Sequence, residues 1–465
     1  MEKLSICPSF LQIAIIGSGP SGFYAADFLL QSLQQIKVDV FDRLPTPFGL
    51  VRGGVAPDHA KIKSVANIYE KIASHPNFRF FGNVEYGRDI TLEDLKNHYH
   101  AIIFAVGAKS DRKMDIPGED LMGSSPATDF VGWYNGHPDY RHLSFDLTCE
   151  RVAVIGNGNV AMDVARILAQ NPSHLESTDI ASYALEALKK SKVKEIYLCG
   201  RRGVAQAAFT NPEIRELCDL DGADLRVDPP EVALDDLSQA SLEQTGSVTA
   251  KNNVKILQEH SQKPLSDQPR KIVVRFLVSP VELTGANGKV VSMKLEKNKL
   301  YKQEDGSLRP KGTGLYETLP VNLVLRSVGY KGVPISELPY DSKNGTIPNE
   351  KGRVIDPKNK SFLSGLYVVG WAKRGPTGVI GTNKPDSGET VRGLLEDYSL
   401  GKLSKPEKNS NDIVSTFEKK GVRFVDYSGW KLLDKKEIET GKKVGKVREK
   451  LTSIEEMLAV LNHNP

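Results

Sequence analysis

Two glycine-rich turns constrain the fold of this chain more than any other feature of its sequence. Residues 13–23 read IAIIGSGPSGF, and residues 151–161 read RVAVIGNGNVA. In each, an apolar run typical of a buried strand ends in glycine and leads into a helical pattern, which is the strand–turn–helix of a dinucleotide-binding unit. The pair predicts an α/β fold with two Rossmann-like domains, each of which binds its own dinucleotide.

The first turn has both the glycines and the acid of a dinucleotide site. Gly17 permits the tight turn, Gly19 lets the backbone approach a pyrophosphate, and Gly22 lets the helix pack against the strand. The next apolar run, residues 38–41, ends at Asp42, about 20 residues after the last glycine, where a carboxylate binds an adenosine ribose. A glycine turn without a ligand is the alternative, and the acid argues against it. We therefore predict FAD at this turn.

The second turn differs from the first at its third glycine and at the end of the following strand. Ala161 replaces the third glycine, and the apolar run 193–199 leads into Gly200, Arg201 and Arg202 instead of an acid. Two guanidinium groups bind a 2′-phosphate through charge-assisted hydrogen bonds, whereas a carboxylate there would repel it. Paired arginines can also be ordinary surface charge, but at the ribose end of a dinucleotide fold they favour NADP(H).

Composition excludes several other classes of protein. The 465 residues suffice for two or three domains, and a net charge of +4 is too small to imply nucleic acid. No apolar run approaches the roughly 20 residues that span a bilayer. Only ten residues precede the first strand, which is too short for a signal or transit peptide. We expect a cytoplasmic protein, or one from the mitochondrial matrix if this is a processed form.

The four cysteines exclude the most common alternative use of two dinucleotides. Cys7, Cys149, Cys199 and Cys218 are widely separated and form no CxxC pair, so the sequence predicts neither a redox-active disulfide nor a zinc or iron–sulfur site. No metal site is expected. Electrons would have to leave through the flavin itself.

Further strands predict how the two domains are joined. The apolar runs 100–106 and 321–328 each end near a glycine and resemble the crossover strands of flavoprotein reductases. We therefore predict a glutathione-reductase-like architecture, with an NADP(H) domain (108–331) inserted into an FAD domain (1–107 and 332–465). A last strand, beginning near residue 365, runs into a glycine-rich segment that suits close approach to a ligand.

These motifs together resemble one family, the adrenodoxin-reductase-type NADPH–ferredoxin reductases. The resemblance covers nearly the whole chain, and several of its motifs are specific to that family. They are PFGLVR at 47–52, GVAPDH at 54–59, FVGWYNG at 130–136, GNGNVAMDVAR at 156–166, GRRG at 200–203, WAKRGPTGVI at 371–380 and GKVREKL at 445–451.

The resemblance implies two sets of cofactor-binding residues. Those for FAD are Gly17, Gly19, Pro20, Ser21, Gly22, Asp42, Arg43, Leu50, Tyr86, Trp371, Gly378, Val379 and Ile380. Those for NADP(H) are Asn157, Gly158, Asn159, Val160, Arg201, Arg202, Glu213 and Gly378, the last where the nicotinamide meets the flavin.

The resemblance also implies a mechanism. NADPH would stack on the flavin and pass a hydride to its N5 atom, and electrons would then leave singly to an iron–sulfur protein. His59 and Asp163 match polar residues near the reacting rings and are the candidate catalytic residues. The alternatives are a structural loop histidine and a first-turn helix acid stabilised by the helix dipole.

The implied partner is an acidic 2Fe–2S or related ferredoxin, and nothing in the sequence demands more than a monomer. The basic cluster of the vertebrate relatives is reduced here to Lys251 and Lys255, so we expect weaker electrostatic steering. Part of the lysine-rich segment 419–450 could assist docking, although most of its lysines are expected to be a solvated face.

Other functions remain open on the sequence. One is an NADPH-dependent flavin reductase or diaphorase, and another is an electron-input subunit that serves a non-ferredoxin acceptor. A disulfide reductase is disfavoured by the cysteines. A nucleotide-sensing protein without catalysis would leave the segment 371–380 without a purpose.

Overall fold

The structure, a computed structural model, describes residues 10–462. Its strands are β1 (Leu11–Ile16), β2 (Ile36–Phe41), β3 (Phe78–Phe81), β4 (Ala101–Phe104), β5 (Ser110–Asp111), β6 (Ser124–Pro126), β7 (Arg151–Ile155), β8 (Glu195–Cys199), β9 (Ala223–Arg226), β10 (Arg270–Arg275), β11 (Val278–Ala286), β12 (Lys289–Lys302), β13 (Leu308–Pro320), β14 (Leu323–Arg326), β15 (Tyr330–Lys331), β16 (Asn349–Glu350), β17 (Arg353–Ile355) and β18 (Phe362–Val368). Its α-helices are α1 (Pro20–Ser32), α2 (Leu50–Gly53), α3 (Ala60–Lys63), α4 (Ala66–Ala73), α5 (Leu92–His98), α6 (Ala127–Tyr134), α7 (Asn159–Ala169), α8 (Ser182–Lys189), α9 (Asn211–Cys218), α10 (Asp236–Gln244), α11 (Val248–His260), α12 (Trp371–Arg374), α13 (Asn383–Ser399), α14 (Ile413–Lys420), α15 (Tyr427–Lys443) and α16 (Ile454–Asn462).

The first sheet has the order β16-β17-β18-β4-β1-β2-β3 in the described residues. Strands β18, β4, β1, β2 and β3 run parallel, so their carboxyl ends share one edge. Alternate residues of β1 enter different cores: Ile13 and Ile15 pack with Phe23 of α1, whereas Ala14 and Ile16 face the opposite side of the sheet. Burial on both faces explains the unbroken apolar run that the sequence shows.

The second sheet is parallel throughout and has the order β6-β14-β7-β8-β10-β9 within residues 10–462. Ile155 pairs in register with Cys199 on one side and with Arg326 on the other. The second glycine turn, the arginine pair and residues 327–330 therefore leave the same edge of this sheet. An antiparallel sheet of β11, β12 and β13 follows β10 in the chain.

The chain passes between the two sheets at a pair of short strands. β5 and β15 pair antiparallel, with Tyr330 opposite Asp111 and Lys331 opposite Ser110. The strands of the first sheet come from before residue 105 and after residue 348, and those of the second lie between 124 and 326. This arrangement is the inserted one that the sequence predicts, while the domain boundaries at 107/108 and 331/332 stay a prediction.

The lysine-rich segment near the carboxyl end is only partly a solvated face. Lys450 is buried: its Nζ lies 3.0 Å from Asp179 Oδ2 and donates to the carbonyl oxygens of Arg52 and Asn135, both at 3.1 Å. Lys446 is buried as well. The expectation that most lysines of this segment are solvated agrees with the structure, in which lysines 435, 436, 442 and 443 are exposed. Lys446 and Lys450 are the exceptions, because this part of the chain packs against residues of both domains.

The cysteines within the described residues are free thiols. They are Cys149, Cys199 and Cys218, and Cys7 lies outside the described residues. Burial raises the pKa of the Cys199 thiol to about 12, so it does not form the thiolate that disulfide exchange needs. Among residues 10–462, no helix combines the length and the apolar character that a membrane span requires.

Candidate active site

The first glycine turn is packed tightly at two positions and open at the third. Gly17 has φ of +110°, and a Cβ there would lie 2.5 Å from the Ala105 carbonyl oxygen. A Cβ on Gly22 would lie 2.2 Å from the Gly17 oxygen, whereas one on Gly19 would meet nothing within 4 Å in the described residues. The side of Gly19 is thus free for a phosphate to approach the N-terminus of α1.

Asp42 is fixed beside this turn by hydrogen bonds. Its Oδ2 accepts from the backbone N–H and the hydroxyl of Ser18, at 2.9 and 2.6 Å, and its Oδ1 accepts from the N–H of Leu44 at 3.0 Å. The carboxylate therefore stands at the carboxyl end of β2 in a set orientation, next to where a ribose would lie.

The loop before α2 closes against the same turn. The Phe48 N–H donates to the Ser18 oxygen at 3.0 Å, and a Cβ on Gly49 would lie 2.9 Å from the Gly19 Cα. Leu50, which follows, begins α2 and is 41% exposed. The predicted FAD residue Leu50 thus lies beside the turn with its side chain available to a ligand.

The turn after β18 adjoins the first turn from the other side. Gly370 has φ of +69°, and a Cβ there would lie 2.6 Å from Ser21 Oγ. Trp371 follows, and its ring centroid is 5.0 Å from that of Tyr330, which belongs to the connection between the sheets. Gly378, with φ of +81°, lies in the segment that leads to α13. The segment predicted to face the flavin therefore lies where the two domains meet.

Three other residues predicted for FAD are also placed by the structure. Arg43 forms an ion pair with Asp139, and the Tyr86 hydroxyl donates to the Ser336 carbonyl oxygen at 3.0 Å. Val379 is exposed. Because Arg43 and Tyr86 already have protein partners, their contact with FAD stays a prediction.

The second glycine turn repeats this geometry with a free donor. Gly156 has φ of +137°, and a Cβ there would lie 2.2 Å from the Ser327 oxygen, whereas one on Gly158 would meet nothing within 4 Å in the described residues. The Nδ2 atom of Asn157 is buried and has no hydrogen-bond partner among residues 10–462. An open backbone and an unpaired donor fit a phosphate-bearing dinucleotide.

Arg201 and Arg202 follow β8 at this edge and carry unpaired charge. Within residues 10–462, no carboxylate oxygen lies within 4.0 Å of either guanidinium. Arg201 is exposed and Arg202 partly exposed, and burial together with the charge of Arg201 lowers the pKa of Arg202. Two cations without a counter-ion fit the proposed 2′-phosphate.

A mostly buried cluster of charged side chains surrounds Arg166 of α7 and joins residues of the two domains. The Nε of Arg166 donates to Asp58 Oδ2 at 2.8 Å, and its Nη2 lies 2.8 Å from Asp163 Oδ1. Its Nη1 lies 3.3 Å from Glu216 and 3.5 Å from Glu213, both on α9. One guanidinium thus joins a carboxylate of the first domain to three of the second.

His59 completes this cluster. Its Nε2 lies 2.9 Å from Glu216 Oε2, and its Nδ1 lies 3.6 Å from Asp163 Oδ1. The structure therefore brings together the two predicted catalytic residues, His59 and Asp163, and places Glu213 beside them. Glu216 was not predicted, although its position one turn after Glu213 on the same helix face was a usable signal.

Comparison with known proteins identifies the family. The sequence profile described as pyridine nucleotide-disulphide oxidoreductase matches residues 11–198. The NADPH-ferredoxin reductase FprA of Mycobacterium tuberculosis is 46% identical, with 96% of this chain and 98% of that protein covered. The mitochondrial NADPH:adrenodoxin oxidoreductase of Homo sapiens is 42% identical, with 97% and 92% covered. This chain belongs to the NADPH–ferredoxin and adrenodoxin reductase family.

A solved structure agrees with this assignment. Mycobacterium tuberculosis FprA in complex with NADPH superposes with a TM-score of 0.91 at 44% identity, covering 97% of this chain and 99% of that one. The predicted fold, enzyme class and cofactors, FAD and NADP(H), are those of the family and are confirmed. The role of each individual residue stays a prediction.

The carboxylates of this family member's central cluster differ in their proton affinity. Burial raises the pKa of Asp163, and burial together with repulsion from Asp163 raises the pKa of Glu213 to about 7. Burial would also raise the pKa of Asp58, but hydrogen bonds from Arg166 lower it overall. The cluster can therefore retain a proton near neutral pH where residues of the two domains meet.

Proposed function

We propose that this protein is an FAD-dependent oxidoreductase that takes electrons from NADPH and delivers them singly to a ferredoxin. The observation that carries the proposal is the contact between the two domains around Arg166 and His59, which we call the junction. It joins two glycine turns whose following strands end in residues of opposite charge, an aspartate in the first domain and two arginines in the second. The relatives named NADPH-ferredoxin reductase and NADPH:adrenodoxin oxidoreductase, 46% and 42% identical, support it.

Each part of the site has a physical task in this proposal. When bound, FAD supplies the chemistry, accepting a hydride and releasing single electrons. The open backbone at Gly19 would hold its pyrophosphate, and Asp42 would accept hydrogen bonds from its ribose. Trp371 lies against Tyr330 where the two domains meet. His59 would hold or move a proton at its Nε2 atom, beside Glu216.

We also propose a partner, an oligomeric state, a cellular location and domain boundaries, which membership of the family does not by itself determine. The partner is an acidic 2Fe–2S ferredoxin, which the exposed Lys251 and Lys255 of α11 would attract. The protein acts as a monomer in the cytoplasm, or in the mitochondrial matrix if it is a processed form. Its domain boundaries lie at 107/108 and 331/332, next to the paired strands β5 and β15.

The function is tested by turnover with each nucleotide. The purified holoprotein should be yellow, and its reduction of cytochrome c should require NADPH rather than NADH and rise sharply when a 2Fe–2S ferredoxin is added. NADPH oxidation whose rate does not rise with any ferredoxin would instead favour a diaphorase.

Replacing Arg201 and Arg202 by alanine should weaken NADPH binding by up to about 3 kcal/mol and leave NADH binding unchanged. Equal loss with both nucleotides would contradict their role.

A further inference from the structure

A second group of buried charges, in addition to the cluster around Arg166, joins the two domains. Asp179 of the second domain lies between Lys63 of α3 and Lys450, which follows α15, and we call these three residues the lysine–aspartate triad. Lys63 Nζ donates to the two carboxylate oxygens of Asp179 at 2.6 and 2.7 Å, and Lys450 Nζ lies 3.0 Å from Oδ2. The side chains of the two lysines are 15% and 1% exposed, so the charges are held away from water.

The triad contains one positive charge more than its carboxylate balances. Lys450 Nζ also donates to the carbonyl oxygens of Arg52 and Asn135, whereas Lys63 Nζ donates to Asn135 Oδ1 at a longer 3.4 Å. Burial lowers the pKa of Lys63 and of Lys450, because an ammonium group loses its hydration there. Lys450 alone would balance the charge of Asp179. The fold therefore does not need Lys63 to neutralise a buried carboxylate.

Lys63 lies one helical turn from His59. His59 is the N-cap of α3, and the backbone N–H of Lys63 donates to the His59 carbonyl oxygen at 3.1 Å. Asp58, which precedes His59, accepts from Arg166 Nε at 2.8 Å, and His59 Nε2 lies 2.9 Å from Glu216 Oε2. The short helix α3 is thus attached to the second domain at its start by Asp58 and His59, and at its end by Lys63.

Attachment at both ends of α3 fixes the backbone that carries His59. A reacting side chain keeps its place only when the residues behind it are held by packing and hydrogen bonds. A displacement of about 1 Å can lower a reaction rate by about a hundredfold. We propose that Lys63, held by Asp179, is a positioning residue that fixes α3 against the second domain and so sets the place of His59 at the junction. This inference rests on the proposed function, in which His59 holds or moves a proton during reduction by NADPH.

Replacing Lys63 by methionine tests the proposal in the holoenzyme. Lys63→Met keeps an unbranched side chain of similar length and leaves Asp179 paired with Lys450, so the variant should fold and keep its flavin. The rate of flavin reduction at saturating NADPH should fall about tenfold, because His59 is displaced. The Kd for NADPH from the same stopped-flow titration should change less than about twofold. Lys63→Arg should recover part of the rate, because it restores a charged donor to Asp179.

Lys61→Met is the matched control, because it makes the same change at an exposed lysine of the same helix. It should alter the rate less than about twofold, which separates placement of α3 from a general loss of positive charge. A double variant tests whether Lys63 acts through His59. In a His59→Gln background, Lys63→Met should slow flavin reduction less than about twofold further, because the histidine that it positions is no longer present.

Four results would overturn the inference: a wild-type rate in Lys63→Met, an equal loss in Lys61→Met, loss of flavin from Lys63→Met, or effects of Lys63→Met and His59→Gln that multiply in the double variant. Each of these leaves the proposed function intact as long as the wild-type protein reduces a 2Fe–2S ferredoxin with NADPH. A wild-type protein that cannot do so refutes the proposed function itself, whatever the variants show.

Discussion

The two glycine turns of this reductase have similar backbone conformations but differ in the charge of the residues at the end of the following strand. Gly17 and Gly156 both have positive φ, and a Cβ on either would clash with the backbone that directly follows a neighbouring parallel strand. A Cβ on Gly19 or Gly158 would meet nothing within 4 Å in the described residues. At the first turn the following strand ends in Asp42, whose carboxylate already accepts three hydrogen bonds. At the second, the strand ends in arginines that have no carboxylate partner within the described residues.

We therefore propose that each glycine turn binds a dinucleotide and that the residues at the following strand end determine which dinucleotide it is. A carboxylate held by backbone N–H groups is oriented in advance and can accept from ribose hydroxyls. Uncompensated guanidinium groups are unfavourable in the free protein and become favourable when a 2′-phosphate binds. On this proposal, one fold would provide an FAD site and an NADP(H) site through a few differences at equivalent positions.

The largest effect is expected from filling the open space at each turn. Gly19→Ala should fold, because its Cβ meets nothing within 4 Å in the described residues, but it should reduce FAD content at least tenfold and abolish turnover. Gly158→Ala should keep the flavin and raise the KM for NADPH about tenfold or more. Flavin absorbance of the purified variants and steady-state kinetics measure the two effects.

Gly17→Ala is a useful reference for this pair. A Cβ there would lie 2.5 Å from the Ala105 oxygen and φ is +110°, so this variant should fail to fold rather than lose one cofactor. Loss of flavin from Gly158→Ala, or unchanged flavin in Gly19→Ala, would mean that the two turns do not divide the cofactors as proposed.

Sequence patterns predicted the parts of this site that depend on local spacing. The glycines, Asp42 and the arginine pair each follow a strand at a fixed distance, and parallel strands bring such ends to one edge. The contacts of Arg166 with Asp58 and Glu216 were not predicted, because they join segments that lie far apart in the chain. Long-range packing also decides the burial of lysines 446 and 450, so their charge alone suggested a surface position.

A smaller effect should distinguish the acids that the two domains contribute to the junction. Arg166 lowers the pKa of Asp58 from the first domain, whereas burial and Asp163 raise that of Glu213 from the second to about 7, from an ordinary 4.5. The folded protein therefore binds a proton at Glu213 more tightly than the unfolded chain does. Its contribution to the free energy of unfolding should fall as pH rises from about 4.5 to about 7.

Glu213→Gln should remove this dependence and stabilise the protein at pH 8 by about 1–3 kcal/mol relative to its effect at pH 5. Urea unfolding of wild type and variant at both pH values measures the difference. Glu216→Gln is the matched control on the same helix, and since its side chain is 45% exposed its effect should be smaller. Equal shifts in both variants would show that Glu213 is not the proton-holding group.

The smallest effect concerns the charge that each domain offers to a partner. Lys251 and Lys255 are exposed on α11 of the second domain, and Lys255 makes only a 3.8 Å pair with Glu259. Replacing both by glutamate should slow ferredoxin reduction by about threefold to tenfold at low salt and flatten its salt dependence, while NADPH oxidation with a small acceptor stays unchanged. Stopped-flow reduction of a 2Fe–2S ferredoxin at several ionic strengths measures both.

Lys435→Glu with Lys442→Glu is the matched control, because both residues are exposed on α15 and the charge change is the same. Long-range attraction depends on total charge, so this variant should also slow association slightly, but without a change in salt dependence as large as that at α11. If instead the α15 variant has the larger effect, the ferredoxin docks along α15. The lysines of that segment that remain exposed, unlike the buried Lys446 and Lys450, would then be the ones that attract it.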